Sequence, residues 1–159
     1  MQPTFYTIRF NDCDPFGHLN NSKYIDYMLN AREDHLRHYH QLDLDTFYKQ
    51  GIGWVVSNHE IRYVRPASYN ETVCIESDLI DAGDSSLLVE MRMLNESRTS
   101  LKALLWSTFT CVNIRTGKKE NHSQDFMEKA NQLLVPGIFT NDGLKMRVVG
   151  LTAKSKVGQ

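Results

Sequence analysis

The sequence predicts an α+β domain, an antiparallel sheet wrapped around one long helix. Three observations predict it. Tyr24, Met28, Ala31 and His35 fall on one line at helical spacing, with Ile25, Leu29, Leu36 and Tyr39 beside them. From Trp54 onward, four strand-like stretches are separated by short turns, which favours antiparallel neighbours. The 159 residues and 41% hydrophobic content suit one domain with a sizeable core.

In chain order, a first strand is expected over 4–10, where Tyr6, Ile8 and Phe10 share a face. Pro15 and Gly17 break the regular structure after it. The long helix begins at Tyr24 and runs about four to five turns; Asn20, Asn21 and Ser22 can each serve as its N-cap. Residues 42–49 read as a short helix or turn before Gly51 and Gly53. Strands follow over 54–64, stopped by Pro66, and over 72–80, ended by the Gly83-Asp84 turn. Two more are expected over 86–94, with Leu87, Val89, Met91 and Met93 on one face, and over 101–114, closed by Thr116-Gly117. A polar helix is expected over 124–134, capped by Ser123, with Phe126, Ala130, Leu133 and Leu134 inward and Pro136 after it. The domain is read as 1–135. Residues 136–159 read as a C-terminal tail without clear period, where Val148, Val149 and Leu151 suggest a short strand or else disorder. One apolar helix covers only one face of such a sheet, so the other face is expected to meet a partner, as in a homo-oligomer.

Net charge is −1 and the pI near 6.6, so nothing pulls the whole chain toward nucleic acid or anionic membrane. Basic residues gather in the tail, at Lys145, Arg147, Lys154 and Lys156. The N-terminal Met-Gln-Pro-Thr-Phe-Tyr has neither the basic start nor the apolar run of a signal peptide. No window reaches the roughly 18 apolar residues of a membrane span. Cys13, Cys74 and Cys111 are widely spaced with no CxxC pair, which argues against a disulfide framework or a zinc knuckle. A cytoplasmic protein is expected. The chain contains no GxGxxG, no P-loop and no GxSxG.

The chemistry concentrates in Asp12-Cys13-Asp14-Pro15-Phe16-Gly17-His18-Leu19-Asn20-Asn21, which sets two carboxylates and an imidazole in a broken turn just before the long helix. Asp-Pro is a common turn opener, so Asp14 reads as a turn carboxylate. It also reads as a catalytic one. Near a helix N-terminus its anion sits in a favourable field, and an ionised Asp there can attack a thioester carbonyl or activate a water. Asn21 reads as an N-cap; its backbone N–H also belongs to the unpartnered amides of the first turn, which suit an oxyanion. His18 can polarise a carbonyl, position water or hold the loop. Asp12, Asp14 and His18 match no specific metal spacing, and no metal is expected. Cys13 is read as a small buried side chain outside the chemistry, because flanking carboxylates raise its pKa. Arg62 and Arg65 suit either a solvated strand face or a clamp for the phosphates of a nucleotide-bearing carrier, as do Arg98 and Lys102. Phe16, Tyr24, Met28 and Trp54 suit the wall of an aromatic or an aliphatic pocket.

The run from Phe10 to Gly17, followed by Asn21 and Tyr24, resembles the active-site segment of the 4-hydroxybenzoyl-CoA thioesterase family of hotdog-fold proteins. Gly17-His18-Leu19-Asn20-Asn21 with Lys23-Tyr24-Ile25 also resembles the plant-type acyl-carrier-protein thioesterases, although Phe16 stands where those carry Asn. The likeness extends over residues 4–134 through the order of elements. It implies a hotdog fold and hydrolysis of an acyl-CoA or acyl-carrier-protein thioester. It implies Asp14 as catalytic nucleophile or general base, the Asn21 N–H as polariser of the carbonyl, and Tyr24 at the helix start beside the acyl pocket. Gly17, Tyr24, Trp54, Arg62 and Arg65 are the candidate substrate-binding residues, and Asp14, Asn21 and His18 the candidate catalytic ones. The resemblance further implies a homodimer or homotetramer with sites at the subunit interface, no cofactor and no metal. Two other readings of the same segment are a non-catalytic acyl-thioester-binding hotdog protein and a hotdog hydratase or dehydratase pairing Asp14 with His18.

Overall fold

Side-chain alternation decides which way each strand faces, and the computed structural model, which describes residues 3–138 and 140–157, shows the outcome. Five strands, β1 (Thr4–Thr7), β2 (Ile52–Tyr63), β3 (Thr72–Ala82), β4 (Ser86–Asn95) and β5 (Leu101–Asn113), form one sheet in the order β1-β3-β4-β5-β2. Every pairing is antiparallel. Helix α1 (Tyr24–Tyr39) has 16 residues and lies on the inner face. Its Tyr24, Met28 and Ala31 are buried against Val73 and Ile75 of β3, Met91 and Met93 of β4, and Ala103 and Leu105 of β5. Helices α2 (Leu44–Lys49) and α3 (Gln124–Leu133) flank it. Ser123 caps α3 by accepting the Phe126 N–H, as the sequence indicated.

Two segments differ from the sequence reading. The first strand ends at Thr7, and Phe10–Asp12 is a turn of 3₁₀ helix. The cause is the Ile8 backbone, which bonds to the 70–71 loop in place of extending β1: its N–H donates to Glu71 O and its C=O accepts from Asn70. Phe10 is consequently 78% exposed and shares no face with Ile8. The second difference is larger. Residues expected to give a short strand or disorder form helix α4 (Gly143–Val157). Leu144, Val148 and Leu151 repeat at helical spacing and pack against Ile80, Leu101, Leu104 and Trp106 on the outer face of the sheet. Part of the face expected to await a partner is thus covered by the chain itself.

That outer face also carries buried charge. Glu90 is fully buried and accepts two parallel hydrogen bonds from Arg147 of α4, each 2.8 Å, and one from Trp106 Nε1 at 3.0 Å. Arg92 lies 3.3 Å from Glu90 and 2.6 Å from Asp78.

Candidate active site

The site is built where the chain turns from β1 into α1. Residues 12–14 and 18–20 run antiparallel as a narrow loop. Asp14 N–H donates to His18 O at 2.7 Å, Asn20 N–H donates to Asp12 O at 2.9 Å, and Cys13 faces Leu19. Gly17 closes the turn with its N–H on Asp14 O and a φ of 74°, a conformation that favours glycine. A second loop fastens the first. Leu19 N–H donates to Ala67 O, Tyr69 N–H donates to Gly17 O, and His18 bridges to Ser68.

Within this frame Asp14 is held by one oxygen. Its Oδ1 accepts the N–H of Phe16 at 2.9 Å and of His18 at 3.0 Å. The first bond is an Asx turn and explains why Asp precedes Pro15 here. Oδ2 has no hydrogen-bond partner among the described residues. His18 gives Asp14 its backbone; its ring makes no hydrogen bond among the described residues. Asp12 is taken by Tyr27, whose O–H donates to Oδ2 at 2.7 Å while accepting the Arg9 N–H.

The long helix begins at Tyr24, as expected, and a short turn precedes it. Asn21–Lys23 is 3₁₀, and the cap is Asn20, whose Oδ1 accepts the Ser22 N–H at 3.0 Å. Asn21 N–H donates to no group among the described residues. Asn21 O accepts from Tyr63 O–H at 2.9 Å, which ties the end of β2 to the helix start. Tyr24 is buried, its O–H accepts the Ala67 N–H at 3.0 Å, and its ring packs edge-on to Tyr63 at 5.1 Å. Its structural load is therefore to join α1 to the clamping loop.

Cys13 is half-buried, less enclosed than expected, and its thiol lies 3.3 Å from Arg9 O. Burial, then Asp12 and Asp14, push the thiol up, away from the thiolate a nucleophile needs.

The remaining candidates are spread out. Tyr63 faces α1, so its neighbour Arg62 points to the opposite face, and it is exposed. Arg65 is exposed and donates to Ser100 Oγ at 3.3 Å. Arg98 pairs with Glu76, and Lys102 with Glu71 at 2.7 Å. Trp54 lies nine residues from Tyr63 on β2, about 30 Å along the strand. It helps line an apolar cavity of about 270 Å³ between α1, α2, α3 and the sheet, with Leu29, Leu36, Phe47, Phe109 and Phe126. Its Nε1–H donates to His122 Nε2 at 3.0 Å, and the His122 ring stacks on Phe126 at 4.7 Å. Burial lowers the pKa of His122, consistent with the neutral ring that this acceptor role requires. Within one chain, then, Asp14, Gly17 and His18 share one loop and Asn21 opens the helix start that follows it, while Trp54 lines a cavity that none of these four residues lines.

Sequence reasoning passed over Tyr63, Tyr27 and three residues on the inner face, Arg32, His35 and Ser77. Arg32 had a usable signal. It lies four residues after Met28, on the apolar side of α1, where a charge is costly without a reason.

Residues 8–130 match the model of the thioesterase-like superfamily. The chain belongs to this superfamily. It is 27% identical over 127 residues to the long-chain acyl-CoA thioesterase FadM of Escherichia coli strain K12, covering 80% of this chain and 95% of that one. It is 23% identical over 94 residues to the acyl-CoA thioester hydrolase YbgC of Escherichia coli O6:H1, covering 59% and 69%. Among solved structures, the probable thioesterase YbaW of Escherichia coli superposes with a TM-score of 0.73 at 26% identity, over 85% of this chain and 100% of that one. The DHNA-CoA thioesterase of Staphylococcus aureus shares the fold at 19% identity, with a TM-score of 0.75 over 82% and 88%. The hotdog fold and the membership among thioester hydrolases that the 10–24 segment implied are both met. No helix among the described residues is long and apolar enough to cross a membrane.

Proposed function

We propose that this thioester hydrolase cleaves an acyl-CoA with an aliphatic acyl chain, using Asp14 as nucleophile or general base. One observation carries the reading: a carboxylate with Oδ1 fixed by two N–H groups and Oδ2 uncommitted, paired through its loop to a helix start whose Asn21 N–H is also uncommitted. The first can attack the thioester carbonyl or take a proton from water; the second can hold the oxyanion that forms. The CoA thiolate then leaves and water completes the release of the acid. The apolar cavity supports an aliphatic chain. Its nearest lining residue on α1, Leu29, is about 8 Å up the helix axis from Tyr24. The acyl-CoA names of the relatives support CoA over a carrier protein as the substrate's handle.

Asp14→Asn tests it. The amide oxygen can still accept from Phe16 and His18, so the loop is kept while the nucleophile or base is lost. Thiol release from a panel of acyl-CoA substrates is expected to stop, with the thermal midpoint little changed. Full turnover in that variant would overturn the assignment of Asp14, and absence of thiol release by the unaltered chain on every substrate would favour a binding protein.

The same reading includes a cytoplasmic homodimer or homotetramer. The support is β2, a 12-residue edge strand with Val55 50% and Val56 40% exposed, since long apolar edges invite pairing. Light scattering on the eluted protein measures the assembly.

A further inference from the structure

Among the described residues, the carboxylates buried on the outer face of the sheet are balanced. Glu76, Asp78 and Glu90 meet Arg92, Arg98 and Arg147, three carboxylates for three guanidinium groups. The inner face is different. Arg32 projects from α1 and is 8% exposed, and no carboxylate among the described residues forms an ion pair with it. Its hydrogen bond is to Ser77 Oγ, 3.2 Å from Nη1; the other N–H groups of the guanidinium have no partner among the described residues. Burial pulls it down to about 10 against the opposing charge of Asp78, and that carboxylate is itself held by Arg92. A buried cation in this state costs stability unless something completes it.

His35 repeats the deficit. Its Nδ1 lies 2.6 Å from Ser77 Oγ, which accepts from Arg32 and keeps one hydrogen to donate; we assign that hydrogen to Nδ1. The imidazole proton then sits on Nε2, which is buried with no hydrogen-bond partner. Burial and Arg32 lower the ring to about 4, so it is neutral and a donor there. Arg32, His35, His40 and Ser77 line a second cavity of about 210 Å³, with Asp78 on its wall. Arg32, Leu79 and Leu133 line this cavity and the apolar one alike. The two spaces therefore abut, one apolar and the other rich in donors that lack an acceptor.

We propose that the two cavities together bind an aliphatic chain ending in a carboxylate, with the hydrocarbon among Leu29, Leu36 and Phe109 and the carboxylate on Arg32 and His35. The carboxylate supplies both the missing charge and the missing acceptor, and a guanidinium takes it in a bidentate geometry. Two sources share this chemistry: a free fatty acid, or the far end of an acyl-CoA that carries a second carboxyl group. The latter rests on the hydrolytic reading above.

Titration of the full chain with decanoate and with 1-decanol, followed by calorimetry, tests the binding without needing turnover. Decanoate is expected to bind about tenfold or more tightly than the alcohol, and the preference is expected to vanish in Arg32→Met and persist in part in Arg32→Lys. Equal affinity for the two on the unaltered chain overturns the proposal, and that comparison does not depend on any variant folding. The source follows from kinetics. A kcat/KM for ω-carboxydecanoyl-CoA about tenfold above that for decanoyl-CoA, with the ratio lost in Arg32→Met, assigns the carboxylate to the substrate's far end. A ratio near one, with decanoate competing against decanoyl-CoA, assigns it to a free acid. A chain that prefers decanoate yet hydrolyses no acyl-CoA keeps this site and refutes the proposed activity instead.

Discussion

Replacing Arg147 by Ala removes both hydrogen bonds by which α4 holds Glu90, and the cost can be worked from the contacts. Glu90 is 0% exposed and the Arg147 side chain 20%, so solvent screens the pair weakly. Stripping one partner from a buried ion pair costs about 3–5 kcal/mol, because the other charge is left behind. Here Glu90 keeps Trp106 at 3.0 Å and Arg92 at 3.3 Å, which places the loss near the lower bound, about 3 kcal/mol. For a chain of this length that is a drop of about 6–12 °C in thermal midpoint. The pH dependence adds a second check. Burial alone would raise Glu90; hydrogen bonds from Arg147 and Trp106 outweigh it and hold the folded-state pKa below the ordinary carboxylate value. A depressed carboxylate stabilises the fold above its unfolded pKa, and that stability is lost as pH falls through the folded one. The gap between Arg147→Ala and the unaltered chain is therefore full at neutral pH, narrows in acid as Glu90 begins to protonate, and closes only as pH falls through the depressed folded-state pKa. Melting curves by circular dichroism at several pH values measure it. A variant that melts with the unaltered chain at neutral pH, or a gap that does not narrow in acid, would refute the account of α4 as an ion-paired strap.

The same strap has an apolar half. Leu144 is fully buried among Ile80, Leu104 and Trp106, so Leu144→Ala should cost about 2–5 kcal/mol by denaturant titration, and a loss well under 1 kcal/mol would mean α4 is not seated there. Cys13→Ser should leave acyl-CoA turnover near that of the unaltered chain, because the raised thiol has no part in the chemistry; a collapse of thiol release with the fold intact would bring Cys13 back into the mechanism.

What the sequence disclosed followed from how each signal is encoded. Helix α1 was legible because Tyr24, Met28, Ala31 and His35 repeat at 3.6 residues and are all buried. The Asp14 loop was legible because turn chemistry is local: Asp, Pro and Gly each act within three or four residues. Helix α4 was not, since Val148-Val149 reads as strand and Gly150 as a break. Its decisive partners, Leu104 and Trp106, lie about forty positions earlier in the chain. Arg32 escaped for a related reason. Its place on the apolar side of α1 shows at helical spacing, but the Ser77 hydroxyl that it meets there lies forty-five positions away on β3.

The placement of Asp14 depends on parts of the chain that carry no chemistry. Its loop is held by the 66–70 segment through Leu19, Tyr69 and His18, and Tyr24 holds that segment to α1 by accepting the Ala67 N–H. Tyr63 fixes the helix start from the other side through Asn21 O, and packs against the ring of Tyr24. The two tyrosines thus couple the carboxylate and the Asn21 amide to one rigid body made of α1, the end of β2 and the loop leading to β3. An oxyanion donor contributes most when it is already aimed before the charge develops, and a nucleophile when its approach is fixed. In this arrangement the proposed donor and the proposed nucleophile are both positioned by backbone hydrogen bonds, and that is how a short turn of ordinary residues can hold the Asp14 carboxylate in place.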